Sequence, residues 1–93
     1  MTPEGKVKAD VKRILKSRGI WYFMPVPLGK VGIPDFCCVV KGQAVFIETK
    51  AGKNKPTPMQ KFTMEQIQGA GGIAVVVNEK GLVDLDALLE SLE

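Results

Sequence analysis

Apolar residues recur along this chain with helical spacing in some stretches and strand-like spacing in others, and the two patterns predict its elements. The first helical pattern covers PEGKVKADVKRILKSR, where the apolar positions are Val7, Val11, Ile14 and Leu15. Their spacing of three and four residues predicts a helix over residues 3–18. Thr2 is placed to cap this helix, Pro3 suits its first position, and Gly19 suits its end.

Three apolar runs follow that are rich in β-branched and aromatic residues, and they predict strands. These runs are IWYFMPV, DFCCVV and QAVFIET. Only Lys41 and Gly42 separate the last two runs, which predicts a tight hairpin turn. The first two are joined by a loop rich in proline and glycine, PVPLGKVGIP.

The second half of the chain predicts a helix, a strand and a closing helix. Thr57 and Pro58 have the residue types of a helix start. The apolar face predicted for this helix consists of Met59, Phe62, Met64 and Ile67. The run GIAVVV is almost wholly apolar, which is typical of a strand covered on both faces.

The closing helix is predicted from DLDALLESLE, in which Asp84 is a candidate N-cap. The leucines that would share one face are Leu85, Leu88, Leu89 and Leu92. The predicted order is therefore α-β-β-β-α-β-α. Helices before and after a central sheet place the chain in the α/β class.

Length and composition predict one domain covering residues 1–93. Of these 93 residues, 45% are hydrophobic and 25% are charged, as in ordinary globular domains. No apolar run reaches the roughly 18 residues that a membrane span needs, and no signal-peptide pattern opens the chain. We therefore expect a cytoplasmic protein without a membrane partner. Cys37 and Cys38 would point to opposite faces of a strand, so we expect reduced core residues.

Charge is unevenly distributed along the chain, although the net charge is only +3. Residues 1–61 carry 12 Lys and Arg against four acids, whereas residues 62–93 carry one lysine against six acids. The basic part would suit a polyanion, and a solubilising face would explain it equally well. The sequence contains no histidine, which excludes Ser-His-Asp, Cys-His and His-metal chemistry. Any catalysis must then use carboxylates, lysine and a metal, or a borrowed cofactor.

Two carboxylates stand out in the apolar strand runs. Asp35 opens DFCCVV, and Glu48 lies near the end of QAVFIET. If the hairpin turn has two residues, counting across it places Asp35 directly opposite Glu48. Side-chain alternation then places Lys50 on the same face. A bulge or a three-residue turn would shift the register and separate the pair.

Two carboxylates held this close repel each other, so one must take up a proton or the pair must bind a cation. A hard divalent cation such as Mg²⁺ or Mn²⁺ accepts oxygen ligands of this kind. With Lys50 beside it, the pair would be suited to metal-assisted hydrolysis of a phosphodiester. The alternative is structural: Asp35 caps or begins a strand, and Glu48 pairs with Lys50 or another cation at a solvated strand end.

Three motifs in order, GIPDF, FIETK and PTPMQKF, resemble those of the PD-(D/E)xK nuclease superfamily, and most closely those of its VRR-NUC branch. The resemblance extends over roughly residues 4–77. It implies a restriction-endonuclease-like core with a mixed central sheet flanked by helices. The positions that match the active centre of the family are Asp35, Glu48, Lys50, Gln60 and Glu4. Glu4 has a second interpretation, because acids are favoured in any first helical turn.

The resemblance also implies a role for each matching residue. Mg²⁺ or Mn²⁺ would be held by Asp35, Glu48 and the main-chain carbonyl of Thr49. Lys50 would position or activate the attacking water, and Gln60 would orient the lysine or the scissile phosphate. Such a centre needs no histidine, because lysine and a metal supply positive charge where the transition state is most negative.

Several lysines near these motifs are candidates for contacts to DNA phosphates. They are Lys30, Lys53, Lys55 and Lys61. For the basic residues of the first helix a solvated face is the favoured interpretation: Lys6, Lys8, Lys12, Arg13 and Lys16. The segment LGKVG lacks the spacing of a P-loop, so we expect no nucleotide cofactor.

The sequence thus predicts a metal-dependent DNA endonuclease. The resemblance implies phage or mobile-element origin, branched DNA such as four-way junctions as substrate, and a homodimer whose two centres suit a two-fold substrate. One alternative is a non-catalytic nucleic-acid-binding module with a nuclease-like fold, against which the complete acid, acid, lysine and glutamine set argues. Another is an interaction protein whose acidic C-terminal helix docks a partner, which leaves Asp35 and Glu48 unexplained.

Overall fold

The computed structural model of the protein describes residues 1–26 and 32–93. Its elements, in chain order, are α1 (Pro3–Ser17), β1 (Trp21–Phe23), β2 (Phe36–Val40), β3 (Gln43–Thr49), α2 (Pro58–Gly69), β4 (Ile73–Val77) and α3 (Leu82–Leu92). This is the predicted order, with a short 3₁₀ turn at Glu79–Gly81 added before α3.

The four strands form one mixed sheet in the order β1-β2-β3-β4. The pairs β1/β2 and β2/β3 are antiparallel, whereas β3/β4 is parallel. A parallel pair needs a crossover connection, and α2 supplies it. The predicted class, a mixed sheet flanked by helices, is therefore confirmed.

The hairpin between β2 and β3 has the predicted two-residue turn. Its central residues, Lys41 and Gly42, have φ values of 49° and 83°. Positive φ at both positions is the requirement of a type I′ turn, which matches the twist of the flanking strands. Val40 pairs with Gln43, so the register inferred by counting is confirmed.

The main core lies between one face of the sheet and the helices α1 and α3. Its fully or nearly buried members are Val7, Val11, Leu15, Ile20, Phe36, Cys38, Val40, Val45, Ile47, Val77, Leu85 and Leu89. The α1 start is capped as predicted, because the Thr2 hydroxyl accepts from Gly5 N at 2.9 Å. Within residues 1–26 and 32–93, no helix is both long and apolar enough to cross a membrane.

The predicted apolar face of α2 is wrong in part. Met59 and Phe62 are about half exposed, at 48% and 54%. The face turned to the sheet instead has the spacing i, i+3, i+4 and i+7, and consists of Gln60, Thr63, Met64 and Ile67. The reason is that the Gln60 side chain reaches Glu48 on β3, and this polar contact sets the rotation of the helix.

Two predictions for the last third of the chain are also corrected. The β4 strand is not covered on both faces, because it lies at the sheet edge and Val76 is 42% exposed. Asp84 is not the N-cap of α3 but lies in its first turn, after Gly81. The Asn78 side chain accepts from the backbone N–H groups of residues 80 and 81 and forms the 3₁₀ turn that starts the helix earlier.

The predicted strand IWYFMPV is shorter than expected, since only Trp21–Phe23 pairs with β2. Pro25 has no N–H for a ladder hydrogen bond, which limits extension beyond this point. Tyr22 packs on Phe36 with ring centroids 6.0 Å apart. Trp21 and Phe23 lie on the other side of the sheet and are exposed. Their ring centroids are 5.7 Å apart.

Arg18 joins the end of α1 to α3 through three carboxylates. Its guanidinium donates to Asp86 at 2.8 Å, to Glu90 at 2.8 Å and to Glu93 at 2.9 Å. The hydrogen bond from Arg18 lowers the pKa of Asp86 below its usual value. Asp86 must therefore bind its proton more weakly in the folded chain than in the unfolded chain.

We expect Arg18→Met to lower the melting temperature at neutral pH and to matter less in acid. Because the pKa of Asp86 is lower in the folded chain, its ion pair stabilises the fold above its unfolded pKa, and this contribution is lost as the pH falls through the folded pKa. Melting curves at about pH 7 and about pH 2 test this. Arg13→Met is the control, because the ion pair that the described residues form with Arg13 is to Asp10 of its own helix. An Arg18→Met deficit that persists unchanged in acid would contradict the expectation.

Candidate active site

The hairpin brings Asp35 and Glu48 together at one end of the sheet. Phe36 pairs with Ile47, so the next step along the register sets Asp35 across from Glu48. Asp35 lies one residue before β2, and its Oδ2 accepts from Thr49 N at 2.9 Å. The geometry predicted from the two-residue turn is therefore present at the strand ends.

Glu48 is a buried carboxylate on a central strand, with a relative exposure of 2%. Burial raises its pKa, and repulsion from Asp35 raises it further. Lys50 opposes both effects, because its Nζ lies 3.4 Å from Glu48 Oε2. Among the described residues, no group donates a hydrogen bond to the buried Glu48 Oε1. A buried carboxylate oxygen without a donor is costly, and a cation is one partner that would satisfy it.

Gln60 connects the start of α2 to Glu48. Its Oε1 accepts from Thr57 N at 2.9 Å, while the Thr57 hydroxyl accepts from Gln60 N at 3.1 Å, which forms a capping box. The remaining amide group, Nε2, donates to Glu48 Oε2 at 3.0 Å. The resemblance implied that Gln60 would orient the lysine or the phosphate, and in this structure its partner is the carboxylate.

Asp35 is held by Thr49 on one side and faces Lys8 on the other. The Thr49 hydroxyl donates to Asp35 Oδ2 at 2.5 Å, in addition to the contact from its backbone N–H. Thr49 is fully buried, so its side chain fixes the carboxylate from within the protein. On the solvent side, Lys8 Nζ lies 3.6 Å from Asp35 Oδ1.

Glu4, the remaining acid implied by the resemblance, lies in the first turn of α1. It is close enough for its charge to contribute to the raised pKa of Glu48. In the described parts of the chain, however, no three His, Cys, Asp or Glu side chains are grouped closely enough to hold a metal ion. Direct ligation by Glu4 therefore stays a prediction.

The chemistry of the donors fits a hard divalent cation. Asp35, one residue before β2, and Glu48, on β3, both offer carboxylate oxygens, and in the part of the chain that the structure describes the buried Glu48 Oε1 has no hydrogen-bond partner. Mg²⁺ and Mn²⁺ are commonly held by one or two carboxylates together with water and substrate oxygens. Two protein carboxylates are thus enough for such an ion, whereas an all-protein cage would need more ligands than these.

The lysines predicted to contact DNA lie on different elements. Lys53 and Lys55 are exposed in the loop after β3 and line an open hollow with Val76 and Asn78. This loop is attached at its start, because Gly52 N donates to Glu79 Oε1 at 2.8 Å and Gly52 O accepts from Asn78 Nδ2 at 3.1 Å. Lys61 is exposed on α2. Lys30 lies outside the described residues.

A search of solved structures finds one described as a VRR_NUC domain that is similar to this chain, with a TM-score of 0.83. The two share 26% sequence identity, and the alignment covers 100% of both chains. This likeness supports a VRR-NUC family assignment. No family model and no curated protein matches the sequence. The VRR-NUC fold indicates a nuclease-type domain.

Two contacts of this candidate centre were not predicted from the sequence. One is the Thr49 hydroxyl, for which only the main-chain carbonyl had been considered. The other is Lys8, which the sequence favoured as part of a solvated face. A lysine four residues after Glu4 on a predicted helix lies on the same face as that acid, and this spacing was the available signal.

The glycine of the motif GIPDF is Gly32, and both its backbone conformation and its close packing require a glycine. Its φ is +82°, a region that favours glycine. A Cβ atom at this position would lie 2.6 Å from the carbonyl oxygen of Met59. The segment that leads into Asp35 therefore packs directly on the backbone of the first turn of α2, which also carries Gln60.

We expect Gly32→Ala to destabilise the fold more than Gly42→Ala. Gly42 has nearly the same φ, +83°, but a Cβ atom there would have no described atom within 4 Å beyond the glycine and its two chain neighbours. Left-handed backbone alone costs about 1–2 kcal/mol, and overpacking against Met59 adds about 1–3 kcal/mol for Gly32→Ala. Urea unfolding of both variants and the parent measures the difference. Equal losses would contradict the close packing at Gly32.

Proposed function

We propose that this protein is a metal-dependent endonuclease that hydrolyses phosphodiester bonds of DNA, with Mg²⁺ or Mn²⁺ as cofactor. The proposed nuclease domain spans residues 1–93 and acts in the cytoplasm, which is the host cytoplasm if a phage encodes the protein. Its preferred substrate is branched DNA such as a four-way junction. The nuclease-type VRR-NUC fold supports the general activity.

One observation carries the proposal: a buried carboxylate has an unpartnered oxygen among groups suited to phosphate chemistry. Within residues 1–26 and 32–93, Glu48 Oε1 has no donor. Asp35 lies opposite Glu48, one residue before β2, and Lys50 Nζ lies 3.4 Å from Glu48 Oε2. A solvated strand end, the structural alternative, would leave Glu48 exposed and hydrated. At 2% exposure it is neither.

In the proposed mechanism, Asp35 and Glu48 would hold the cation, the main-chain carbonyl of Thr49 would be a further ligand, and Glu4 is a candidate. A divalent cation at this point would stabilise negative charge on the phosphate and make water easier to deprotonate. Lys50 orients the attacking water and contributes positive charge next to the reacting phosphate.

Gln60 and the Thr49 hydroxyl act on the carboxylates. Gln60 Nε2 donates to Glu48 Oε2 at 3.0 Å, which leaves Oε1 directed away from that hydrogen bond. The Thr49 hydroxyl and N–H both donate to Asp35 Oδ2, which leaves Oδ1 for a cation. The two acids are thereby oriented before substrate binds, which reduces the cost of assembling the centre.

Exposed lysines beside the centre supply affinity for the DNA backbone. Lys53, Lys55 and Lys61 are exposed in the loop after β3 and on α2, and Lys30 is a further candidate from the sequence. Each phosphate contact releases condensed counterions and makes binding weaker at higher salt. These residues therefore determine how tightly DNA binds, and the carboxylate pair determines whether it is cut.

We expect Asp35→Asn and Lys50→Ala to reduce cleavage by at least about 100-fold, because each removes charge from the reacting centre. Cleavage of labelled duplex, flap and four-way-junction DNA is followed in Mg²⁺, Mn²⁺ and EDTA. EDTA should abolish cutting by the parent. Lys16→Ala is the charge control, since Lys16 is exposed in the last turn of α1, two helical turns beyond Lys8.

Three results would count against this function. Cutting that persists in EDTA would exclude a required metal. Lys50→Ala activity equal to that of the parent would exclude the proposed centre, provided that circular dichroism shows both proteins folded. DNA binding without cutting in either metal would favour the non-catalytic nucleic-acid-binding module.

The proposed homodimer uses the uncovered outer surface of β1 and β2, here called the aromatic face. Its exposed members are Trp21, Phe23 and Val39, at 63%, 47% and 46%. An exposed apolar patch on a small domain is a typical interaction surface. A second copy on this face would provide the two centres that a two-fold junction requires.

We expect the parent to sediment as a dimer and Trp21→Ser to shift it toward monomer, because the indole supplies much of the apolar area of the aromatic face. Analytical ultracentrifugation measures the mass, and cleavage of four-way junction against plain duplex measures the preference. Val83→Ser is the control, since Val83 is also exposed but lies on α3. A parent that is monomeric and cuts plain duplex as fast as junctions would contradict both the dimer and the substrate.

A further inference from the structure

Lys8 is a second lysine at the proposed centre, and the function described above gives it no role. It lies on α1, and its Nζ is 3.6 Å from Asp35 Oδ1. This distance is longer than a hydrogen bond, so the contact depends on charge. Among the described basic residues of α1, Lys8 alone forms an ion pair with a carboxylate of the centre.

The two carboxylates of the centre are held in the same manner, each through one oxygen. Asp35 Oδ2 accepts two hydrogen bonds from Thr49, and Glu48 Oε2 accepts from Gln60. The other two oxygens, Asp35 Oδ1 and Glu48 Oε1, remain for a cation. Lys8 is the positive charge that lies beside the first of them.

The Lys8 side chain is more exposed than that of Lys50, and it is therefore freer to change its partner. The Lys50 side chain is 13% exposed and lies against Glu48, whereas the Lys8 side chain is 37% exposed. A flexible four-carbon stem allows a solvent-exposed ammonium to change partners. Lys8 can therefore exchange Asp35 for another anion with little change in the fold, whereas Lys50 is confined.

We propose that Lys8 is a substrate-positioning residue that neutralises Asp35 in the free protein and contacts a DNA phosphate once Asp35 holds a divalent cation. This inference rests on the proposed nuclease function. Asp35 Oδ1 cannot serve a cation and an ammonium equally well, because like charges repel at this range. Lys8 therefore leaves Asp35 once a cation is bound there, and the substrate phosphate becomes its new anionic partner.

The first test measures metal affinity without DNA. Mn²⁺ is titrated into the parent, Lys8→Met and Lys12→Met by calorimetry. Removal of the competing ammonium should tighten Mn²⁺ binding by about threefold to tenfold in Lys8→Met. Lys12→Met loses the same charge one turn further along the exposed side of α1, and it should bind Mn²⁺ as the parent does. Equal affinities in the two variants would overturn the proposal.

The second test measures DNA binding in a Lys50→Ala background, where binding is expected without cutting. In Mn²⁺, addition of Lys8→Met should weaken binding and reduce the slope of log affinity against log salt by about 0.9, the value for one lost phosphate contact. In EDTA, Lys8→Met should weaken DNA binding no more than Lys12→Met does, since Lys8 then pairs with Asp35. A Lys8→Met effect that is the same in Mn²⁺ and EDTA would overturn the proposal.

Two further variants separate charge from structure. Lys8→Arg keeps a cation that can bind phosphate and should restore the salt slope. Lys8→Gln should repeat the effects of Lys8→Met, and circular dichroism verifies that each variant is folded. If the parent cuts no DNA, the proposed nuclease function fails, whereas the Mn²⁺ and DNA-binding results still decide the role of Lys8.

Discussion

The burial of the Glu48 carboxylate is the constraint on which the rest of the site depends. A carboxylate at 2% exposure on a central strand is costly unless neighbouring groups compensate its charge and satisfy its lone pairs. Gln60 and Lys50 do so for Oε2, but Oε1 has no donor among the described residues, and Asp35 adds repulsion. An apolar side chain at this position would fit a β-sheet core better. The fold therefore carries an electrostatic cost at this point, which a bound cation would reduce.

The hairpin turn sets the distance between the two acids. A type I′ turn at Lys41 and Gly42 fixes the β2/β3 register, and a one-residue slip would move Asp35 away from Glu48. Thr49 then holds Asp35 through both its N–H and its hydroxyl. Backbone pairing thus determines the position of the acids, and side-chain hydrogen bonds determine which of their oxygens face outward.

Features that depend on local chain geometry could be predicted from the sequence, and features that depend on packing could not. The two-residue turn, the Thr2 and Thr57 caps and the element order follow from local residue preferences. The rotation of α2 does not, because Met59 and Phe62 offer an apolar face as good as the observed one. What decides it is a polar contact, from Gln60 to Glu48. Likewise, the pairing of Lys8 with Asp35 depends on how α1 crosses the sheet. The helical periodicity of α1 does not determine that crossing.

Gln60 takes part both in the cap of α2 and in the carboxylate site. A capping box accepts either glutamate or glutamine at this position, and the oxygen that bonds Thr57 N would be present in both. Only the amide has a second group that donates, and that group reaches Glu48 at 3.0 Å. Glutamate would cap α2 equally well but would set a third carboxylate against a buried one whose pKa is already raised by burial and by Asp35. Helix stability alone therefore does not explain the glutamine, whereas the electrostatics of the carboxylate pair does.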